Sequence, residues 1–127
     1  MAVDEVVFGP GPSEVVATKH VTASDPYLVG HYPGFTIYPG VFVLETACQA
    51  VDALARRTLA ATAELAEIRW LRLTGPARPG DVLRVHASCD EITTSGLRAT
   101  VRCTVGADAA VAQLVLHFRL VAHVRAR

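Results

Sequence analysis

Residues 41–59 constrain the chain more than any other stretch. Val41, Phe42, Val43, Leu44, Ala47, Cys48, Ala50, Val51, Ala53, Leu54 and Ala55 put apolar side chains on nearly every side of a helix. A helix of that kind has little surface to offer water and has to be enclosed. Its polar residues Glu45, Gln49, Asp52 and Arg56 fall at i, i+4, i+7 and i+11, on one narrow stripe. A chain of 127 residues suits one domain with one core, so the whole of 1–127 is read as a single unit whose remaining segments supply the enclosure.

Those segments read as strands. Residues 3–8 and 14–22 are extended runs on either side of the turn Gly9-Pro10-Gly11-Pro12, and residues 14–21 are β-branched with partial alternation. After the helix come 65–73, whose alternation is imperfect, a turn from Gly75-Pro76 to Pro79-Gly80-Asp81, and then 82–92. Thr93-Thr94-Ser95-Gly96 is a hairpin turn, 97–105 alternates cleanly, and Gly106-Ala107-Asp108 turns the chain into 109–121. One enclosed helix followed by antiparallel strands predicts an α+β domain with the sheet curled round the helix. Such a sheet leaves edges, and pairing with a second subunit across a twofold would remove one edge from each. The basic tail His123-Val124-Arg125-Ala126-Arg127 is expected to fray.

Composition excludes several functions. With 12 Lys and Arg against 12 Asp and Glu the net charge is zero, which provides no broad cationic face for nucleic acid or an anionic membrane. No uninterrupted apolar run is long enough to span a bilayer, and Asp4 and Glu5 stand where a secretion signal would be basic, so a cytoplasmic protein is expected. Cys48, Cys89 and Cys103 are odd in number and lack CxxC spacing; they read as buried free thiols. His20, His31, His86, His117 and His123 lack the paired spacing of metal ligands, and no metal is expected. His20 reads as a solvent-facing or edge residue, and Asp52, Arg56 and Arg57 as a solvated or interface stripe.

The chemistry concentrates between Asp25 and Glu45. His31 lies in a loop made rigid by Pro33-Gly34 and Pro39-Gly40, and fourteen positions later Glu45 stands one turn into the apolar helix. Imidazole serves as a base near neutrality, while a carboxyl sunk among Val41, Leu44 and Cys48 is expected to hold its proton and donate it. The free N–H groups at the helix start, around Gly40 and Val41, point back toward the loop and favour a developing oxyanion. One base, one acid and an oxyanion cradle are the parts of an elimination or hydration.

His31-Tyr32-Pro33-Gly34, then Tyr38-Pro39-Gly40-Val41, then Leu44-Glu45 with Gln49 one turn on, resembles the signature of the hotdog-fold 3-hydroxyacyl-[acyl-carrier-protein] dehydratases of the FabZ/FabA type. Val3-Asp4-Glu5-Val6, Lys19-His20-Val21-Thr22 and Pro76-Ala77-Arg78-Pro79-Gly80-Asp81 extend the resemblance over nearly the whole chain. Thr36 and Tyr38 depart from it where Pro and Met are common, as do Thr74-Gly75 where basic or polar residues are usual. The resemblance implies a hotdog fold, with an antiparallel sheet wrapped round one long central hydrophobic helix. It also implies dehydration of a 3-hydroxyacyl thioester to the trans-2-enoyl thioester, in fatty-acid or polyketide biosynthesis.

In that reaction His31 would remove the C2 proton, the N–H groups near Gly40 and Val41 would hold the thioester oxygen, and Glu45 would protonate the departing hydroxyl. Gln49 would orient neighbouring groups, and Ile37, Tyr38, Trp70 and Leu73 would line the acyl slot. No cofactor is required; the substrate would arrive on the phosphopantetheine of acyl carrier protein or coenzyme A. Arg69, Arg72 and Arg78 read first as plain solvated residues, with contact to an acidic carrier surface as the alternative. The family implies a dimer, of identical or similar hotdog chains, with the histidine of one subunit meeting the glutamate of the other. Two other readings stand beside this one: a hotdog acyl-CoA thioesterase with Glu45 activating water, and one subunit of a heterodimeric dehydratase with a structural or partial role.

Overall fold

A computed structural model describes residues 3–9, 11, 13–21 and 40–123; all others, and the side chains of Gly40 and Val41, lie outside the described residues. Among the described residues the elements are β1 (Glu5–Phe8), β2 (Glu14–His20), α1 (Gly40–Thr58), β3 (Ala61–Leu73), β4 (Val82–Asp90), β5 (Gly96–Val105) and β6 (Ala109–Ala122). The strands form one sheet in the order β1-β2-β4-β5-β6-β3, antiparallel throughout. Helix α1 packs on one face of it. This is the α+β arrangement expected from the sequence.

The packing follows from side-chain size and parity. Val43, Ala47, Ala50, Val51, Leu54 and Ala55 of α1 are buried against Val15 and Ala17 of β2, Leu83 and Val85 of β4, and Ala99, Val101 and Cys103 of β5. Alanines on both sides let the helix lie close to the backbone of the sheet. In β6 the even positions Ala112, Leu114, Leu116, Phe118 and Leu120 are buried, while Gln113, Val115, His117 and Arg119 between them face outward. That alternation marks the two faces of the sheet for every strand in register with it.

The helix stops at Thr58, and Ala60 turns the chain with φ of 49°. A left-handed terminator is a glycine position, and a Cβ there costs roughly 1–2 kcal/mol. Ala60→Gly is therefore expected to stabilise the fold by about 0.5–1 kcal/mol once glycine's greater freedom in the unfolded chain is offset. A higher urea midpoint at unchanged slope would show it, whereas a lower midpoint would mean that Ala60 is unstrained.

Strand β3 begins at Ala61, four residues before the stretch expected from the pattern of 65–73. The segment Ala61-Thr62-Ala63-Glu64 carries too little apolar weight to read as a strand. It is held instead by register with Ala122, Val121, Leu120 and Arg119 and by the Asp52 Oδ1 atom, which accepts the Ala63 N–H at 2.9 Å. Further along, the pairing with β6 slips twice, leaving Ala66 between Leu65 and Glu67 and Arg69 between Ile68 and Trp70. The two bulges bring Leu65, Ile68, Leu71 and Leu73 onto the helix side, opposite Phe118, Leu116, Leu114 and Ala112. Helix α1 does not cover them, and all four stay between 38% and 53% exposed along an edge strand.

Candidate active site

The stripe Glu45, Gln49, Asp52, Arg56 runs along α1 as the spacing predicts, but its members divide by task. Gln49 Oε1 accepts the Val3 N–H at 3.0 Å and ties the N-terminal segment to the helix. Asp52 accepts the Ala63 N–H through Oδ1 and the Arg56 Nε–H, at 2.9 Å, through Oδ2. Arg57 lies over the Phe8 ring, 4.6 Å from its centroid. Of the expected solvated or interface stripe, Arg56 and Arg57 are exposed, while Asp52 and Arg57 also join α1 to the strands and the N-terminal segment. Their spacing did not reveal this, because the partners are a backbone amide and an aromatic ring distant in sequence.

Asp52→Ala removes the acceptor for the start of β3 and is expected to cost about 1 kcal/mol or somewhat more. Asp52→Asn keeps an acceptor oxygen and should recover most of the loss, read as urea midpoints. Equal losses in the two variants would trace the effect to the Arg56 ion pair.

Glu45 stands apart. It is half-buried on the second turn of α1 and, among the described residues, its carboxylate makes no hydrogen bond or ion pair. Beneath it Thr46 is fully buried, its hydroxyl donating to the Phe42 carbonyl at 2.8 Å within the helix. One turn on, Cys48 is half-buried rather than buried as expected. Burial, and then the charge of Glu45, pushes its thiol up to about 11. Burial alone pushes the Cys103 thiol up to about 12.

Thiolate is the reactive form, so at pH 8 a thiol at about 11 reacts on the order of a hundredfold or more slowly than an ordinary cysteine near 8.5. The native protein should resist alkylation at Cys48, Cys89 and Cys103 and take up label at all three in urea. Rapid labelling of Cys48 in the native state would contradict this environment.

At its other end α1 begins at Gly40, and no acidic residue occupies its first turn. The N–H groups of Gly40 and Val41 thus belong to the unsatisfied set that opens every helix, with no side-chain carboxylate in that turn to compete for them. His31, Ile37 and Tyr38 lie outside the described residues. Trp70 and Leu73 do not share a wall: Trp70 pairs with Val115 on the outer face, Leu73 with Ala112 on the helix side. Arg69 donates to Glu67 at 3.1 Å in an exposed pair, and Arg72 sits on the outer face opposite Gln113. The Arg78 backbone N–H donates to Asp81 Oδ2 at 2.8 Å in the turn before β4. Among the described residues no cluster of three His, Cys, Asp or Glu side chains is arranged to hold a metal ion, and no helix is long and apolar enough to cross a membrane.

The model of the ApeI-like family, described as ApeI dehydratase, matches residues 10–114. The chain belongs to this dehydratase family. Among its relatives, the 3-hydroxyacyl-[acyl-carrier-protein] dehydratase FabZ of Chlamydia caviae is 36% identical over 112 residues, 84% of this chain and 72% of that one. The protein of the same name from Thermomicrobium roseum is 33% identical over 113 residues, 87% of this chain and 76% of that one. Solved structures share the hotdog fold with this family member. The dehydratase heterocomplex ApeI:P from Xenorhabdus doucetiae superposes with a TM-score of 0.72 at 19% identity, over 93% of this chain and 96% of that one. A hypothetical thioesterase from Streptococcus pneumoniae, solved with coenzyme A, gives 0.72 at 16% identity, over 96% and 90%. At such identities the likeness is one of fold.

Proposed function

We propose that this chain dehydrates a 3-hydroxyacyl thioester, carried by acyl carrier protein or coenzyme A, to the trans-2-enoyl thioester. The observation that carries the reading is Glu45. It is a half-buried carboxylate without a structural partner among the described residues, on a helix whose neighbouring polar side chains Gln49 and Asp52 are engaged in holding the fold. His31 removes a proton from C2, and the electron pair enters the thioester carbonyl, whose oxygen is held by the N–H groups of Gly40 and Val41. As the C2–C3 double bond forms, the C3–O bond breaks and Glu45 delivers its proton to the leaving hydroxyl, which departs as water. His31 returns its proton to Glu45 through solvent before the next turnover. No redox partner or metal enters this balance.

The acyl chain lies in a slot to which Leu73 contributes from the helix-side face, while Trp70 lies on the other side of the sheet. We place the working unit in the cytoplasm as a dimer, identical or of two similar chains. A subunit laid along edge strand β3 continues the sheet and covers Leu65, Ile68 and Leu71, a loss of exposed apolar surface that favours association. The test is to supply the purified protein with a short trans-2-enoyl thioester on coenzyme A and on carrier protein. Loss of the enoyl absorbance without release of free thiol is the expected hydration. Release of thiol would make the protein a thioesterase. Inactivity alone, with activity on adding a second hotdog chain, would make it one half of a heterodimer.

A further inference from the structure

The sheet's outer face, turned away from α1, carries a groove of about 480 Å³ between β2, β4 and β5. Four polar side chains form a two-by-two block on its floor. His86 stands directly across from Arg102, and Ser88 directly across from Thr100, all at outward positions of their strands. Facing pairs of this kind have Cβ atoms roughly 5 Å apart, so the four side chains rise from one patch of the sheet. Among the described residues the side chains of His86, Ser88 and Thr100 make no hydrogen bond. Arg102 has only a long contact to Asp108, at 3.8 Å between two groups that are each more than half exposed. Such a pair is worth little and yields readily to a better acceptor.

The lining restricts what fits. All four floor side chains can donate, and a guanidinium presents two parallel N–H groups to a carboxylate. Val16, in register with His86, and the side-chain-free Gly9 provide an apolar wall. Glu14 faces Ser88 across the strand pair and sets a negative charge at the rim. That charge opposes a second negative charge on the ligand. The volume falls in the range of small-molecule sites, roughly 300–1,000 Å³. The geometry points to a binding site for a monocarboxylate with a compact apolar body, held by Arg102 and His86 with the body against Val16. The sheet lies between this groove and α1, so the site is independent of the dehydration reading.

Benzoate titrated into the isotope-labelled protein should shift the backbone amide resonances of Gly9, Val16, His86 and Thr100 saturably. Benzamide, the same shape without the charge, and inorganic phosphate, a charge without the apolar body, should each bind at least tenfold more weakly. Arg102→Gln should weaken benzoate at least tenfold, with resonances on α1 unmoved as a check on folding. Glu14→Gln should tighten benzoate and raise the affinity for phosphate. The site is overturned by shifts that do not saturate, by benzamide or phosphate binding as well as benzoate, or by an Arg102→Gln variant that binds like the wild type. Weaker benzoate binding on Glu14→Gln would overturn the assignment of the rim charge.

Discussion

Under the proposed mechanism Glu45→Gln is expected to lower the dehydration rate by about 10²-fold or more, and His31→Ala to do the same, because each would delete one of the two proton carriers that the mechanism assigns. The glutamine variant separates chemistry from folding. It keeps the size of the side chain and loses only the transferable proton, and among the described residues no hydrogen bond of Glu45 is there to be broken. Its urea midpoint and circular dichroism should therefore match the wild type while turnover falls. If Glu45 were instead a structural residue, stability and activity would fall together. Near-normal turnover by either variant, at substrate saturation and with chemistry limiting, removes that residue from the mechanism.

The helix was readable because its signal is redundant. Eleven apolar positions among the fifteen from Val41 to Ala55 leave only a narrow polar stripe, and α1 starts and stops within one residue of the expected 41–59. Strand 97–105 was readable for a similar reason, since clean alternation has only one register that buries its apolar half. Strand β3 shows the limit. Leu65, Ile68 and Leu71 are three apart, a spacing that in a regular strand would throw successive residues to opposite faces. The bulges at Ala66 and Arg69 each absorb one residue and return all three to the helix side. A bulge is decided by the partner strand, so local pattern could not foretell it. Trp70 and Leu73 are an odd number apart, and simple parity already separates them.

The site divides along the same line. Glu45 could be singled out because a carboxylate in so apolar a helix asks for an explanation, and its half-buried, unpartnered state sustains that attention. The structural duties of Gln49 and Asp52 could not be read from the stripe. A main-chain N–H contributed by Val3 or Ala63 leaves no trace in residue type. Polar residues three and four apart thus had one appearance, and only long-range contacts told the engaged Gln49 and Asp52 from Glu45.

A shared site would reveal itself in complementation. The uncovered residues Leu65, Ile68 and Leu71 lie on edge strand β3, where a second copy can extend the sheet; the proposed dimer would then pair His31 of one subunit with Glu45 of the other. Mix the inactive His31→Ala and Glu45→Gln chains in equal amounts, unfold and refold them together. About half the dimers then hold one chain of each kind. In a mixed dimer with sites built across the twofold, one site carries both lesions and the other carries neither. Two inactive preparations should thus recover roughly a quarter of wild-type activity. If each chain used its own pair, every site would keep one lesion and the mixture would stay inactive. Mass spectrometry of the intact dimers establishes that exchange has occurred. Absence of recovery after proven exchange would place the pair within one chain or assign the missing half to a different hotdog subunit.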